Sequence, residues 1–308
     1  MIPAAYTGTQ TPLPPGLLPL IDAALAEDLS WGDCTVDALG GLPTWGTATL
    51  SPRQPIVVSG ALVAQAIFQR IDPSITVELT TPDGSSLQPN DPLLVVQGPI
   101  GSLLKAERTA LNMLQHLCGI ATHTQAFVAA VAHTPCHVVD TRKTTPGLRA
   151  LEKAAVRHGG GHNHRLHLGD AAMLKDNHWA SMGITLHEAM TRLRRHLSHT
   201  QTITVECDTL EQVQAALALP SDLRPDSLLL DNMDLITLRT AVDHIHRLPP
   251  HEKRPLAEAS GGVTLNTVGA IAQTGVDLIS TSQLTLGAPP VDIGMELHQC
   301  VLSHSTVL

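Results

Sequence analysis

The stretch ITVECDTLEQVQAALALPSDLRPDSLLLD, residues 203–231, contains the pattern on which the fold prediction rests. The apolar runs at 203–207 and 227–231 each have the length of one buried strand, and residues 209–218 between them read as a helix. Two buried strands joined by a helix predict a βα unit, in which both strands run parallel in one sheet.

The same alternation continues on both sides of this stretch, from about residue 137 to about residue 281. The other predicted strands are HVVD (137–140), AAMLK (171–175), PLAEAS (255–260) and DLIST (277–281). The other predicted helices lie near 149–158, 183–197, 234–247 and 264–274. Repeated βα units predict an α/β protein with a parallel sheet or barrel, in which the carboxyl ends of the strands share one face.

The first part of the chain mixes helices and strands without this regular alternation. Its predicted helices are 17–29, 60–71 and 102–132, and its predicted strands are 46–51, 75–79 and 93–96. We therefore predict a small α+β domain over residues 1–118 and a barrel domain over 119–289. The segment 290–308 is expected to return to the first domain.

The composition favours a helix-rich α/β protein over a β-sandwich, since 43% of the residues are hydrophobic but only 2% are aromatic. The first residues lack a basic segment ahead of an apolar one, and no run of 18 apolar residues occurs. We therefore predict no signal peptide and no membrane span. The five cysteines are odd in number and form no CxxC pair, which is typical of reduced thiols in a cytoplasm.

A basic segment at 140–178 contrasts with the acidic whole, which has 19 Lys and Arg against 28 Asp and Glu. The basic residues of the segment are Arg142, Lys143, Arg149, Lys153, Arg157, Arg165 and Lys175. A local basic segment indicates a small anionic ligand and argues against nucleic acid, which needs a broader basic surface. Arg suits carboxylate or phosphate through paired hydrogen bonds, and Lys contributes a point charge.

Other readings of this segment stay open. Lys153 and Arg157 are expected on a solvated helix face, while Arg149 could contact a ligand or form a structural salt bridge. Glycines 159–161 could form a flexible loop or let the backbone pass close to a ligand. A metal site is a further reading for the histidines His158, His162, His164 and His167. Cys partners and an HExxH frame are lacking.

Polar residues at the predicted strand ends form three groups. A candidate cradle for an organic di-acid consists of Arg142, His164, Arg165 and Lys175. The carboxylates of Glu206 and Asp231 suit Mg²⁺ or ribose hydroxyls, because Mg²⁺ prefers oxygen ligands. The loops at 260–262 and 280–282 precede helix starts, where backbone N–H groups commonly bind phosphate. Together these groups indicate a phosphoribosyl donor beside a carboxylated acceptor.

Several segments resemble the quinolinate phosphoribosyltransferase (decarboxylating) family, also called nicotinate-nucleotide pyrophosphorylase (carboxylating). They extend over almost the whole chain and are EDLSWGDCT (27–35), AERTALNMLQHLCGIAT (106–122), DTRKTTPGLRALEKAAVRHGGGHNHR (140–165), LKDNH (174–178), LLLDNM (228–233), EASGGV (258–263) and GVDLIS (275–280). The resemblance implies an N-terminal α/β sandwich domain, an incomplete (β/α) barrel and a homodimer. It also implies Mg²⁺-dependent conversion of quinolinate and phosphoribosyl pyrophosphate to nicotinate mononucleotide, pyrophosphate and CO₂, in de novo NAD biosynthesis.

The resemblance also implies roles for individual residues. Arg108 would enter the active site of the partner subunit. The predicted catalytic residues are Lys143, which would contact the phosphoribosyl donor, and Glu206 and Asp231, which would bind the ribose of the donor or Mg²⁺. The quinolinate carboxylates would be held by Arg142, His164, Arg165 and Lys175. The 5′-phosphate would lie near Ser260, Gly261 and Gly262, and the pyrophosphate near Asp176 and His178.

The chain departs from the family's usual Gly-Ala-Leu-Thr-His sequence, because residues 282–286 read Ser-Gln-Leu-Thr-Leu. Ser282, a candidate donor contact, replaces the Gly, Leu286 replaces the His, and His167 stands where Gly is common. Three functions therefore stay open: the decarboxylating transferase, a relative acting on another carboxylated ring, and a non-catalytic paralogue that binds phosphoribosyl pyrophosphate.

Overall fold

The structure is a computed structural model that describes residues 16–40, 44–249 and 251–299. The parts of the predictions that cover 1–15, 41–43, 250 and 300–308 lie outside the described residues. The helices are α1 (Leu17–Leu29), α2 (Cys34–Ala38), α3 (Ala61–Ile71), α4 (Ile100–Val131), α5 (Arg149–His158), α6 (Asp176–Ala180), α7 (Leu186–His196), α8 (Leu210–Leu217), α9 (Leu235–His246) and α10 (Val268–Ala272), with a 3-10 helix at Ser282–Leu284. The strands are β1 (Trp45–Pro52), β2 (Ile56–Val57), β3 (Thr76–Leu79), β4 (Ser86–Leu87), β5 (Leu94–Pro99), β6 (His137–Val139), β7 (Ala172–Leu174), β8 (Ile203–Cys207), β9 (Ser227–Asp231), β10 (Leu256–Ser260), β11 (Leu278–Ser280) and β12 (Ile293–Gln299).

The chain divides into two compact units, the first of which comprises, among the described residues, 16–40, 44–117 and 291–299. Its main sheet has the strand order β12-β1-β5-β3, and all neighbouring strands are antiparallel. Side chains along β1 alternate between buried and more exposed positions, as expected when one face of a sheet covers a core. The chain returns to this unit after residue 290 as β12, which pairs with β1.

The second unit comprises Cys118–Pro290 and contains a six-stranded sheet of order β6-β11-β10-β9-β8-β7. All five strand pairs are parallel. β7 to β11 follow one another in chain order, and β6, the first strand, lies beside β11, the last one. This connectivity is that of a barrel, yet no pairing in the described part of the chain joins β6 to β7. The predicted α/β class with parallel strands in an incomplete barrel is confirmed.

The continuous apolar runs account for the accuracy of the strand predictions in this unit. β8 and β9 have the predicted bounds, and β9 has four consecutive buried residues, as expected for strands covered on both faces. The elements that were not predicted include α2 and α6, of five residues each, and the two-residue strands β2 and β4. Such elements are too short to show a period. Within the described ranges, no helix combines the length and apolar character needed to cross a membrane.

The prediction that Lys153 lies on a solvated helix face is wrong, whereas Arg157 is exposed as predicted. The Lys153 side chain is 1% exposed and that of Asp140 is 0% exposed, and Lys153 Nζ lies 2.5 Å from Asp140 Oδ1. Lys153 Nζ also donates a hydrogen bond of 2.8 Å to the carbonyl of His164. A buried ammonium group requires such partners, which the spacing along α5 does not reveal.

The glycines after α5 serve packing against α4, a role that the sequence alone does not indicate. A side chain at Gly159 would overlap the carbonyl oxygen of Ala121 in α4, and one at Gly161 would come within 2.7 Å of Thr124 Cγ2. Gly160 has φ of +85°, which favours glycine. The three glycines therefore let the chain turn directly against α4.

We expect Lys153→Met to lower the free energy of unfolding by about 3–5 kcal/mol, because it leaves the buried Asp140 carboxylate without its cation. Arg247→Met is the matched control, since Arg247 is 76% exposed and forms a 3.9 Å pair with Asp243. It should cost less than about 1 kcal/mol. Urea denaturation measures both, and equal losses would contradict the buried pair. Adding Asp140→Asn to Lys153→Met should restore part of the loss.

Candidate functional site

The predicted site residues of the second unit meet at the carboxyl edge of its parallel sheet. The register pairs Glu206 with Leu229 and Leu229 with Glu258, which places the two glutamates in one row across β8, β9 and β10. Asp231 and Ser260 pair two residues further along the strands, in a row that faces the same side. Residues in one row point to the same face of a sheet, so these polar groups share one surface.

Two arginines at this edge lie close enough to affect each other electrostatically. Burial lowers the pKa of the Arg165 guanidinium and the like charge of Arg142 lowers it further, while Asp170 opposes both effects. Arg165 Nη1 donates to the carbonyl of Ala171 at 2.7 Å. The Nε of Arg142 is buried, and no residue of the described chain accepts its hydrogen bond. A hydrogen-bond donor without a partner, in a place where two positive charges lie close together, is an environment in which an anion binds favourably.

The buried Asp140 carboxylate organises the loop that carries Arg165. Besides Lys153, it accepts hydrogen bonds from Asn163 Nδ2 at 2.6 Å and from the backbone N–H of His164 at 2.8 Å. Burial raises the pKa of Asp140, while the hydrogen bond and charge of Lys153 act in the opposite direction. The loop that leaves β6 and passes back beside it is therefore held by the hydrogen bonds that the Asp140 carboxylate accepts.

His164 lies between this loop and the interior of the sheet. Its Nδ1 accepts the backbone N–H of Arg165 at 2.8 Å, which leaves Nε2 as the atom that carries the proton of the neutral ring. Nε2 lies 3.5 Å from Oε1 of Glu258, a residue that is 2% exposed. His164 thus presents an N–H group to the interior, and it directly precedes Arg165 in the sequence.

The carboxylates on the other side of the edge form a cluster. Ligand oxygens of Glu206, Asp208 and Asp231 all lie within 4.8 Å of one another. Lys175 Nζ lies 2.5 Å from Glu206 Oε2, so Lys175 contacts the acidic cluster. Asn232 Nδ2 donates to Asp231 at 2.7 Å. Three carboxylates offer the hard oxygen donors that Mg²⁺ prefers, and the donor set therefore fits the predicted ion.

Lys143 follows β6 with an exposed side chain, which makes no ion pair or hydrogen bond within the described ranges. Arg149 anchors this loop: it donates to Thr144 Oγ1 at 3.0 Å and to the carbonyls of Arg142 and Leu166, each at 3.2 Å. Arg149 therefore holds the loops that carry Arg142 and Arg165. These contacts are backbone and hydroxyl hydrogen bonds, where the sequence had suggested a salt bridge or a ligand contact.

The glycines after β10 have different surroundings. Gly261 has φ of +91°, and a side chain there would overlap Asn232 Oδ1 and come within 2.9 Å of Asn232 N. Gly262 has φ of +59° with open space around its Cβ position. Thr281 Oγ1 donates to the carbonyl of Val263 at 3.2 Å and accepts the N–H of Gln283 at 3.1 Å, which joins this loop to the one containing Ser282.

The remaining predicted residues lie outside these contacts. Arg108 is exposed on α4 in the first unit, without an ion pair among the described residues. His178 Nδ1 accepts the N–H of Lys175 at 2.9 Å, and the side chain of residue 176 is outside the described structure. His167 is exposed, and Leu286, which replaces the family's usual His, is 60% exposed.

Three residues of the site were not among the predicted site residues: Asp208, Glu258 and Thr285. The spacing of Glu206 and Asp208, two residues apart at a strand end, could have indicated Asp208, since such residues face the same side. Glu258 lies in a quoted motif, and a Glu within an apolar strand is itself a signal of a buried polar contact. Thr285 lies in the quoted run 282–286, but that run does not reveal its partner, which lies 142 residues away in the chain.

The fold and the site define an α/β barrel protein that presents two arginines and a group of carboxylates on one edge, as expected for small anionic substrates. The model of the quinolinate phosphoribosyl transferase C-terminal domain matches residues 120–296, and that of the N-terminal domain matches residues 33–118. The chain belongs to this family.

Relatives and solved structures agree with this assignment. The chain is 42% identical to the probable nicotinate-nucleotide pyrophosphorylase (carboxylating) of Synechocystis sp. over 289 residues, which cover 93% of this chain and 95% of that protein. Its counterpart from Mycobacterium leprae is 42% identical over 280 residues, covering 90% and 95%. The crystal structure of NadC from Streptococcus pyogenes has a TM-score of 0.85 and 34% identity, covering 95% of this chain and 100% of that one.

We expect Gly261→Ala to destabilise the protein more than Gly262→Ala. Both substitutions place a side chain in the left-handed region, at a cost of about 1–2 kcal/mol. Only the first also forces the new methyl group into Asn232. Thermal unfolding of the two variants measures the difference, and equal losses would show that Asn232 moves away without cost.

Proposed function

We propose that this chain is a quinolinate phosphoribosyltransferase (decarboxylating), a pentosyltransferase of NAD biosynthesis. It converts quinolinate and phosphoribosyl pyrophosphate to nicotinate mononucleotide, pyrophosphate and CO₂. The observation that carries the proposal is the separation of charge along one sheet edge. Arg142 and Arg165 lie beside β6, whereas Glu206, Asp208 and Asp231 lie at the carboxyl ends of β8 and β9. A dianionic ring and a ribose phosphate with a bound cation match these two surfaces.

The arginines are suited to bind the quinolinate carboxylates. The buried and unused Nε of Arg142 offers one donor, and the N–H of His164 Nε2 offers another at the interior. Lys175, held at Glu206, stands between the acceptor and donor sides of the site. Holding both reactants in a reactive geometry can contribute about 7–11 kcal/mol to catalysis, so the protein needs no covalent nucleophile.

The reaction then proceeds in two steps. The ring nitrogen of quinolinate attacks C1 of the ribose, and the bond from C1 to the pyrophosphate oxygen breaks with its electron pair leaving on pyrophosphate. Carboxylates beside the ribose stabilise its developing positive charge, and Lys143 neutralises charge on the leaving group. The resulting pyridinium accepts the electron pair of the bond to the 2-carboxylate, CO₂ departs, and the ring carbon takes a proton.

The acidic cluster is the proposed Mg²⁺ site, with Asp208 as a ligand beside Glu206 and Asp231. Mg²⁺ held by these three carboxylates would supply positive charge near the pyrophosphate group of the donor. We assign the 5′-phosphate of the donor to the loops that contain Ser260, Gly261, Gly262 and Ser282. The hydrogen bonds of Thr281 join these two loops.

We also propose a homodimer in which Arg108 completes the site of the partner. Leu104 and Arg108 are exposed one turn apart on α4, and the ion pair of Lys105 with Asp37 joins this helix to α2. Around the carboxyl edge of the second unit, exposed apolar side chains follow most strand ends: Leu166, Leu168, Met182, Leu235, Ile236, Leu265 and Leu286. Such surfaces favour coverage by another chain.

A cytoplasmic location fits the state of the thiols. The described cysteines Cys34, Cys118, Cys136 and Cys207 form no disulfide within the described ranges. Burial raises the pKa of Cys136 and of Cys207 to about 12, which keeps both thiols protonated and unreactive.

The proposed function is tested with quinolinate labelled in its 2-carboxylate, phosphoribosyl pyrophosphate and Mg²⁺, with nicotinate as a parallel acceptor. We expect labelled CO₂ and nicotinate mononucleotide from quinolinate alone, and no turnover when Mg²⁺ is chelated. The double variant Arg142→Ala/Lys175→Ala should lose quinolinate binding and turnover, whereas the surface variant Arg247→Ala should keep both. Turnover of nicotinate would contradict the assignment of the second carboxylate. Donor binding without product would favour the non-catalytic paralogue.

The shared site is tested by subunit complementation. Arg108→Ala and Lys143→Ala are each expected to be nearly inactive. Unfolding and refolding the two together should restore about a quarter of the wild-type activity, because half of the dimers are mixed and each has one complete site. Lack of any restoration would mean that Arg108 acts within its own subunit, and an active Arg108→Ala variant would mean that Arg108 does not act in the site.

A further inference from the structure

A single buried hydroxyl joins two loops of the site that are far apart in the chain. Thr285 follows the 3-10 helix after β11 and is 1% exposed. Its Oγ1 donates to the carbonyl oxygen of Lys143 at 2.7 Å, across 142 residues of sequence. The same oxygen lies 3.3 Å from the carbonyl of Ser282. A hydroxyl has one proton, so the shorter contact is the main hydrogen bond.

The backbone of Lys143 is what determines where its ammonium group can reach, because the side chain has no partner within the described ranges. Two hydrogen bonds hold that backbone. The N–H of Lys143 donates to Thr141 Oγ1 at 3.0 Å, within the same turn, and the carbonyl accepts Thr285 Oγ1. Only the second bond ties the lysine to a different part of the barrel.

We propose that Thr285 is a positioning residue for Lys143, and that it couples Lys143 to the loop that receives the donor phosphate. The inference rests on the proposed function, which places the donor at these loops. Thr281 begins the loop of Thr285 and bonds the carbonyl of Val263, next to Gly262. The loops after β6, β10 and β11 are thereby linked, and Thr285 supplies the side-chain link to Lys143. A donor phosphate that orders this loop also orders Lys143.

Thr285→Val removes the hydroxyl and keeps the shape of the side chain. We expect kcat to fall about tenfold, the effect of one lost hydrogen bond in the reacting state, and KM for quinolinate to change less than about twofold. Thr285→Ser retains the hydroxyl and should restore most of kcat. Thr274→Val is the matched control, because Thr274 is buried and donates to the carbonyl of Ile271 at 2.6 Å, ahead of β11. It should keep the wild-type kcat.

A double-mutant cycle separates positioning from general destabilisation. If Thr285 acts through Lys143, adding Thr285→Val to Lys143→Ala should leave kcat at the value of Lys143→Ala alone. A further tenfold loss in that background, or a wild-type kcat in Thr285→Val, would overturn the proposal.

Hydrogen exchange provides a readout that does not depend on activity. Amides of residues 142–145 should exchange faster in Thr285→Val than in wild-type protein or Thr274→Val, because the carbonyl of Lys143 is released. Unchanged exchange would overturn the structural link even if kcat fell. Faster exchange in a protein that forms no nicotinate mononucleotide would instead leave the link intact and contradict the proposed function.

Discussion

Parallel pairing of the six strands is the constraint on which the candidate site depends. Because all strands run in one direction, the residues that follow them lie along one edge, although they are dispersed over the sequence. The position of β6 beside β11 then brings the loop of Lys143 to the loop of Thr285. A sheet with one reversed strand would send one of these loops to the opposite edge.

The second requirement is a rigid support for the cations. Arg142 and Arg165 carry like charges that repel each other. The loops that carry them are held by side chains that are not needed to contact the ligand. Lys153 and Asp140 form this support beneath the His164 backbone, and Arg149 bonds the carbonyls of both loops. The interaction energy of a buried ion pair is offset by desolvation, so its contribution here is the definite position of the loop.

The elements that were predicted well and those that were missed differ in how much local signal they carry. β8 and β9 are continuous apolar runs bounded by polar residues, which is the pattern of strands buried on both faces. β2, β4 and α6 have two to five residues, so no period can be read from them. The sequence predicts the wrong face for Lys153, because a charged residue in a helix is expected at the solvent-exposed face. The helix pattern does not show that the carboxylate of Asp140 approaches it.

The sequence by itself determined the alternation of strands and helices, the polar residue types that end the strands, and the basic segment that indicates an anionic ligand. Only the tertiary structure decided which of these residues are partners. Lys175 lies on Glu206, Asp208 joins the carboxylate cluster, and Thr285 holds Lys143. The reason is physical: local propensity acts over neighbouring residues, whereas these contacts require the strand order and the packing of side chains that are distant in the chain.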